Sequence, residues 1–143
     1  MKIGELAHVA QTTVETVRYY EKEGLLTVTV RTAGNFRVYG PAHLERLRFI
    51  RNCRALDMSH EEIHNLLGLA DQPADGCGAI NAVFDQHMVH VDERIRELLH
   101  LKEQLSGLRQ RCQTEQAWDA CGILQGLAAL ETEAKPERHT HLG

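Results

Sequence analysis

The chain has 143 residues, 43% of them hydrophobic, with 16 Lys and Arg against 20 Asp and Glu and a net charge of −4. That length suits one ordinary domain or a small domain with an appendage, and no apolar run is long enough to cross a bilayer. Met1-Lys2-Ile3-Gly4-Glu5 opens into a helix-like pattern and not a secretion signal, so the expected compartment is the cytoplasm, where the four cysteines read as free thiols or metal ligands in preference to disulfides. The charge is unevenly spread: residues 1–56 hold 9 Lys and Arg against 5 Asp and Glu, residues 57–143 hold 7 against 15, and five of the seven aromatic residues fall in the basic part. A basic, aromatic front half suits a polyanion, and the acidic remainder has another task.

In chain order, residues 3–10 predict a short amphipathic helix. Gln11-Thr12-Thr13 supplies an N-cap for a second helix through Glu23, with Gly24 ending it. Two such helices joined by a short polar turn form a helix-turn-helix, whose second helix turns Arg18 outward toward a major groove. The β-branched run 25–31, a turn at 32–35 and Phe36-Arg37-Val38-Tyr39 predict a β-hairpin wing. Its exposed donors, Arg31, Asn35, Arg37 and Tyr39, suit phosphate oxygens, which fix register on a duplex without reading sequence. Pro41 opens a helix over 42–56 with Leu44, Leu47, Ile50 and Leu56 opposite Arg46, Arg48, Arg51 and Arg54; Cys53 continues the apolar progression as a small core residue. Asp57 to Glu62 predicts a turn and N-cap before Ile63, Leu66, Leu67 and Leu69.

Asp71 to Gly76 reads as a linker. Beyond it Cys77, Ile80, Phe84, Val91, Leu98, Leu101, Leu105, Leu108 and Cys112 follow alternating three- and four-residue steps, a heptad seam interrupted by Arg94. One helix with one apolar stripe has nothing in its own chain to cover it and is expected to pair with a second copy. Cys77, Cys112 and Cys121 are soft ligands that suit zinc, cadmium, mercury or lead. A helix over 78–111 separates Cys77 from Cys112 by roughly 50 Å, so the two can share an ion only across two chains.

Ile3-Gly4-Glu5-Leu6-Ala7, Thr16-Val17-Arg18-Tyr19-Tyr20-Glu21-Lys22-Glu23-Gly24-Leu25-Leu26, Arg31 and Gly34-Asn35-Phe36-Arg37-Val38-Tyr39 together resemble the MerR family of transcription regulators. The segments 49–58, Gly76-Cys77-Gly78, 105–112 and Cys121-Gly122-Ile123-Leu124-Gln125 resemble its cadmium- and lead-responsive branch. The resemblance implies a mainly α fold: a winged helix-turn-helix DNA-binding domain over 1–70, a linker and helix start over 71–79, and an antiparallel coiled-coil dimerisation helix over 80–112. A metal-binding loop and short helix would follow over 113–131, with a His-containing tail over 132–143. It assigns DNA contacts to Arg18, Tyr20, Arg31, Asn35, Phe36, Arg37, Tyr39 and Arg54, and to Tyr19 unless that ring is the one of the adjacent pair that turns into the core. Thr27-Val28 stands where relatives often carry prolines. The antiparallel dimer would set Cys77 of one chain beside Cys112 and Cys121 of the other, giving two three-thiolate sites.

The implied effector is a divalent soft ion, cadmium or lead, with mercury or zinc as alternatives. Members sensing monovalent copper or silver have Ser where this chain has Cys77. The implied partners are a second copy, a two-fold-symmetric promoter operator and RNA polymerase. His87 and His90, three apart on one helix, and His139 with His141 in the tail are candidates for a second metal site, with a seam position and a solvated tail as the alternative. A metal-buffering protein leaves Arg18 and the wing unexplained, and a thiol redox sensor using Cys112 and Cys121 is the nearer rival. No nucleophile, base and orienting residue occur together in a motif, so no enzyme is expected.

Overall fold

The computed structural model describes residues 1–27, 33–34, 37–72 and 76–131. The chain is mainly helical: α1 (Ile3–Val9), α2 (Val14–Lys22), α3 (Pro41–Ala55), α4 (His60–Asp71), α5 (Gly78–Arg109) and α6 (Gly122–Ala129), with a 3-10 turn at Trp118–Ala120. It divides into two units, Met1–His87 and a second from Met88 onward.

In the first unit, local chemistry sets each helix boundary. Gln11 takes φ 55°, in the left-handed region, and lets the chain reverse between α1 and α2, with the Thr12 N–H donating to Ala7 O at 2.9 Å. Thr13 Oγ1 accepts the Thr16 N–H at 3.1 Å and caps α2. Gly24, at φ 77°, follows the last turn of α2 as the left-handed residue that stops a helix. Pro41 occupies the first turn of α3, where its missing N–H costs nothing. Ser59 and Glu62 form a reciprocal box at the start of α4: Glu62 N–H donates to Ser59 Oγ at 3.1 Å, and Ser59 N–H to Glu62 Oε1 at 2.9 Å.

These elements close over one apolar cluster that includes Leu6, Val17, Leu25, Leu26, Leu47, Ile50, Met58 and Ile63. Cys53 belongs to it, and burial pushes its thiol up from the ordinary value, as suits a small core residue. Leu56 departs from the predicted apolar face. Helix α3 ends at Ala55, so the progression 44, 47, 50, 53 is not continued, and Leu56 is 61% exposed. Arg46 binds the unit together: Nε donates to Leu25 O at 3.1 Å, and Nη1 reaches the Asp71 carboxylate at 3.1 Å. No β-strand forms among the described residues, and most of the predicted wing, 28–32 and 35–36, lies outside them. Ile80, assigned by the heptad pattern to the seam, instead packs with Val83 on this cluster, so the first turns of α5 belong to the N-terminal unit.

In the second unit, Gly126 is the one buried residue among those described. Met88, Val89, Ile95, Leu98, Leu99, Leu101 and Leu105 are all exposed on α5. Helix α5 ends where Arg109 Nη1 turns back to donate to Cys112 O at 2.8 Å, and α6 then lies against Leu108 and Arg111.

Candidate nucleic-acid interface and metal centre

Arg18 and Lys22, four apart on α2, are exposed and line a shallow cleft with Glu21 and Arg37. Glu21 organises it. Its side chain is 5% exposed, Arg37 Nη1 lies 2.9 Å from its Oε2, and the Tyr39 hydroxyl donates to its Oε1. Periodicity gave no signal for this role, because a glutamate in a helix is ordinarily solvated and only its two partners, brought from 16 and 18 residues away, make burial tolerable.

The predicted DNA contacts separate into three groups. Arg18 is exposed as expected, and so is Arg54, whose Nη1 donates to Met58 O. Tyr39 is a correction: at 1% exposure its ring is core and its hydroxyl is committed to Glu21, so it supports Arg37 from behind and presents no donor to a phosphate. Of the adjacent pair, Tyr20 is the buried one at 9% exposure, with its hydroxyl pushed up in pKa chiefly by burial. Tyr19 is 44% exposed, and its hydroxyl lies 3.3 Å from His60 Nδ1. Successive helical side chains are about 100° apart, so the adjacent pair meets different surroundings. Arg31, Asn35 and Phe36 lie outside the described residues.

Cys77 is exposed and immediately precedes α5, its carbonyl accepting the Asn81 N–H at 2.8 Å. Helix α5 is continuous over 32 residues, close to 48 Å by rise per residue. Past its other end, Cys112 and Cys121 are half-buried and near enough for each thiol to shift the other's proton affinity, and the Cys112 thiol donates to Thr114 O at 3.5 Å. At the start of α6 the backbone N–H groups of Leu124 and Ile123 favour the Cys121 thiolate and hold its thiol below the ordinary value. The Cys112 thiol is held up, first by its bond to Cys121. Two nearby cysteine sulfurs are, once deprotonated, a soft donor pair.

The histidines divide similarly. His87 is buried, with Nε2 2.7 Å from Leu56 O and Nδ1 3.1 Å from Glu62 Oε2. His90 is half-buried one turn further along α5, and His139 and His141 lie outside the described residues.

Residues 1–69 match the family described as MerR HTH family regulatory protein, and residues 44–108 match MerR, DNA binding. The HTH-type transcriptional regulator ZntR homolog of Haemophilus influenzae is 50% identical over 111 residues, 78% of this chain and 82% of that one. The chain belongs to the MerR family. ZntR of Escherichia coli K12 is 38% identical over 128 residues, 88% of this chain and 91% of that protein. Among solved structures, PbrR691 from Ralstonia metallidurans CH34 in complex with lead(II) is 48% identical, with a TM-score of 0.78 over 89% of this chain and 98% of its own. These relatives set this MerR protein in the metal-responsive branch of a family of transcription regulators. Among its described residues no helix is long and apolar enough to cross a membrane.

Proposed function

We propose that this MerR regulator binds promoter DNA as a homodimer and activates heavy-metal resistance genes when a divalent soft cation, cadmium or lead, engages Cys112 and Cys121 of one chain together with Cys77 of the other. The observation that carries the reading is the close approach of Arg111 to Gly122, which brings their neighbours Cys112 and Cys121 to one end of α5 as two soft donors while leaving a third to come from elsewhere. Cys77, at the opposite end of a 32-residue helix, meets that need from an antiparallel partner. Uncovered leucines along α5 supply the apolar surface for such a pairing. The lead-bound relative at 48% identity supports lead among the effectors.

Bound cation would supply a shared positive centre that neutralises the converging thiolates. The chain's own part is to offer the donors at a subunit boundary. Joining Cys77 to the far end of the partner's helix favours one dimer state over another, and differential affinity for the two states sets how far the switch moves. The two DNA-binding units, each with Arg18 and Arg37 on α2 and its flank, then change their relative setting. The promoter spacer between them is untwisted or kinked, so that RNA polymerase engages both promoter elements.

The test is a promoter reporter dosed with cadmium, lead, mercury and zinc, using wild type and Cys77→Ser, Cys112→Ser and Cys121→Ser. Each variant is expected to keep operator binding and lose induction. An unchanged induction curve in any of them removes that residue from the site, and induction by hydrogen peroxide without metal moves the reading to a thiol redox sensor.

A further inference from the structure

The contact between α6 and the end of α5 is closer than any side chain permits. A Cβ placed on Gly122 falls 2.5 Å from the Arg111 carbonyl oxygen, 3.0 Å from the Arg111 Cβ and 3.2 Å from its carbonyl carbon. One turn later, a Cβ on Gly126 falls 2.7 Å from Arg111 Nη1 and 2.9 Å from Leu108 Cδ2. Gly126 is also buried, in a unit where its described neighbours are not. The two glycines thus form the face by which α6 seats on Leu108 and Arg111.

The sequence neighbours of this contact are the two cysteines. Arg111 is followed by Cys112, and Gly122 is preceded by Cys121, so the approach of 111 to 122 sets the approach of 112 to 121. Each cysteine is tied to its own side of the contact. Cys121 is the residue from which α6 starts, its carbonyl accepting the Gln125 N–H at 3.1 Å, whereas the Cys112 carbonyl is held to the end of α5 by Arg109. A displacement of α6 therefore passes directly into the distance between the sulfurs.

We infer that Gly122 and Gly126 are positioning residues for the metal site, setting the Cys112–Cys121 separation by letting α6 seat directly on the Arg111 backbone. The inference rests on the three-thiolate reading above. The two positions are not equivalent. At Gly122 the obstacle is backbone, so a methyl group must lift α6 by at least about half an ångström to pass from 2.5 Å to 3.0 Å. At Gly126 the nearest obstacle is the far end of the Arg111 side chain, which can swing away.

The test uses the full-length reduced protein and cadmium chloride, reading ultraviolet sulfur-to-cadmium charge transfer and chelator competition. Gly122→Ala is expected to lose roughly 10- to 100-fold in cadmium affinity, the range found when groups supporting metal ligands are removed. Its charge-transfer intensity per cadmium should fall as a sulfur is lost, with metal-free operator binding as in wild type. Gly126→Ala is expected to lose less, and adding Arg111→Ala should recover part of the loss in Gly126→Ala, where Leu108 Cδ2 at 2.9 Å remains, but none in Gly122→Ala. Wild-type affinity and intensity in Gly122→Ala, with Cys112→Ser and Cys121→Ser both defective, would overturn the positioning role alone. Wild-type cadmium binding in both Cys→Ser variants would overturn the thiolate site and this inference together. Should Gly122→Ala also lose operator binding, the Gly126→Ala pair decides, and failure of Arg111→Ala to recover it counts against the inference.

Discussion

The Tyr39 hydroxyl donates to the Glu21 carboxylate beneath the surface of the N-terminal unit, while Arg37 approaches the other carboxylate oxygen from outside at 2.9 Å. The arrangement turns a buried acid into a fixed anchor for a half-buried base. Tyr39→Phe is expected to destabilise the fold by about 1–3 kcal/mol, because a buried charged acceptor loses a donor and gains none. It should also loosen Arg37 and weaken operator binding. Urea unfolding and an operator titration at fixed salt check both effects; unchanged stability would mean that Glu21 needs no such partner.

The neighbouring tyrosines make opposite predictions. Tyr20→Ala empties a core position and should cost about 3–5 kcal/mol of stability, in the range of large aromatic truncations. Tyr19→Ala removes a ring that is 44% exposed and should change stability by less than about 1 kcal/mol while reducing operator affinity. Thermal melts of the two variants separate the cases, and a larger loss for Tyr19→Ala would reverse the assignment.

Alkylation should distinguish the paired cysteines by pH. The Cys121 thiol is lowered from the usual value, first by the Leu124 N–H, whereas the Cys112 thiol is raised, first by its bond to Cys121. The thiolate is the reactive form, so raising the pH populates it at Cys121 before Cys112. Iodoacetamide labelling of Cys77→Ser, mapped by mass spectrometry, is expected to reach half its maximal rate at lower pH for Cys121. Cys53, buried and also raised, should label last in the folded protein. Saturating cadmium should suppress labelling of Cys112 and Cys121, and a chelator should restore it.

His87 offers a test of structure against ligation. With Nε2 at Leu56 O and Nδ1 near Glu62, His87→Ala should destabilise the metal-free protein by about 1–3 kcal/mol. Cadmium stoichiometry by native mass spectrometry is expected to stay at two ions per dimer in wild type and variant alike. More than two in wild type, reduced by His87→Ala, would assign the histidines to a second site.

The helix boundaries were legible in the residues because their causes are local. Thr13 and Ser59 cap the helices that begin after them, Gly24 supplies a left-handed stop, and Pro41 opens α3. Cys53 was readable as core from its place after Leu44, Leu47 and Ile50. The apolar pattern failed where two partners competed for one stripe. Ile80 continues the heptad register, but register does not say that the first turns of α5 are claimed by the N-terminal core.

The sequence by itself determined the helical segments, the basic front half, the soft donor set and the family, since all of these are written in residue type and short-range spacing. Only the tertiary structure decided that Tyr20 and Tyr39 face inward while Tyr19 faces out, that Glu21 is buried, and that Gly122 meets the Arg111 backbone. Each of those outcomes depends on groups far apart in the chain meeting in space. Burial of Glu21 requires Arg37 and Tyr39, and the close seat of α6 on Arg111 requires two glycines with no Cβ in the way.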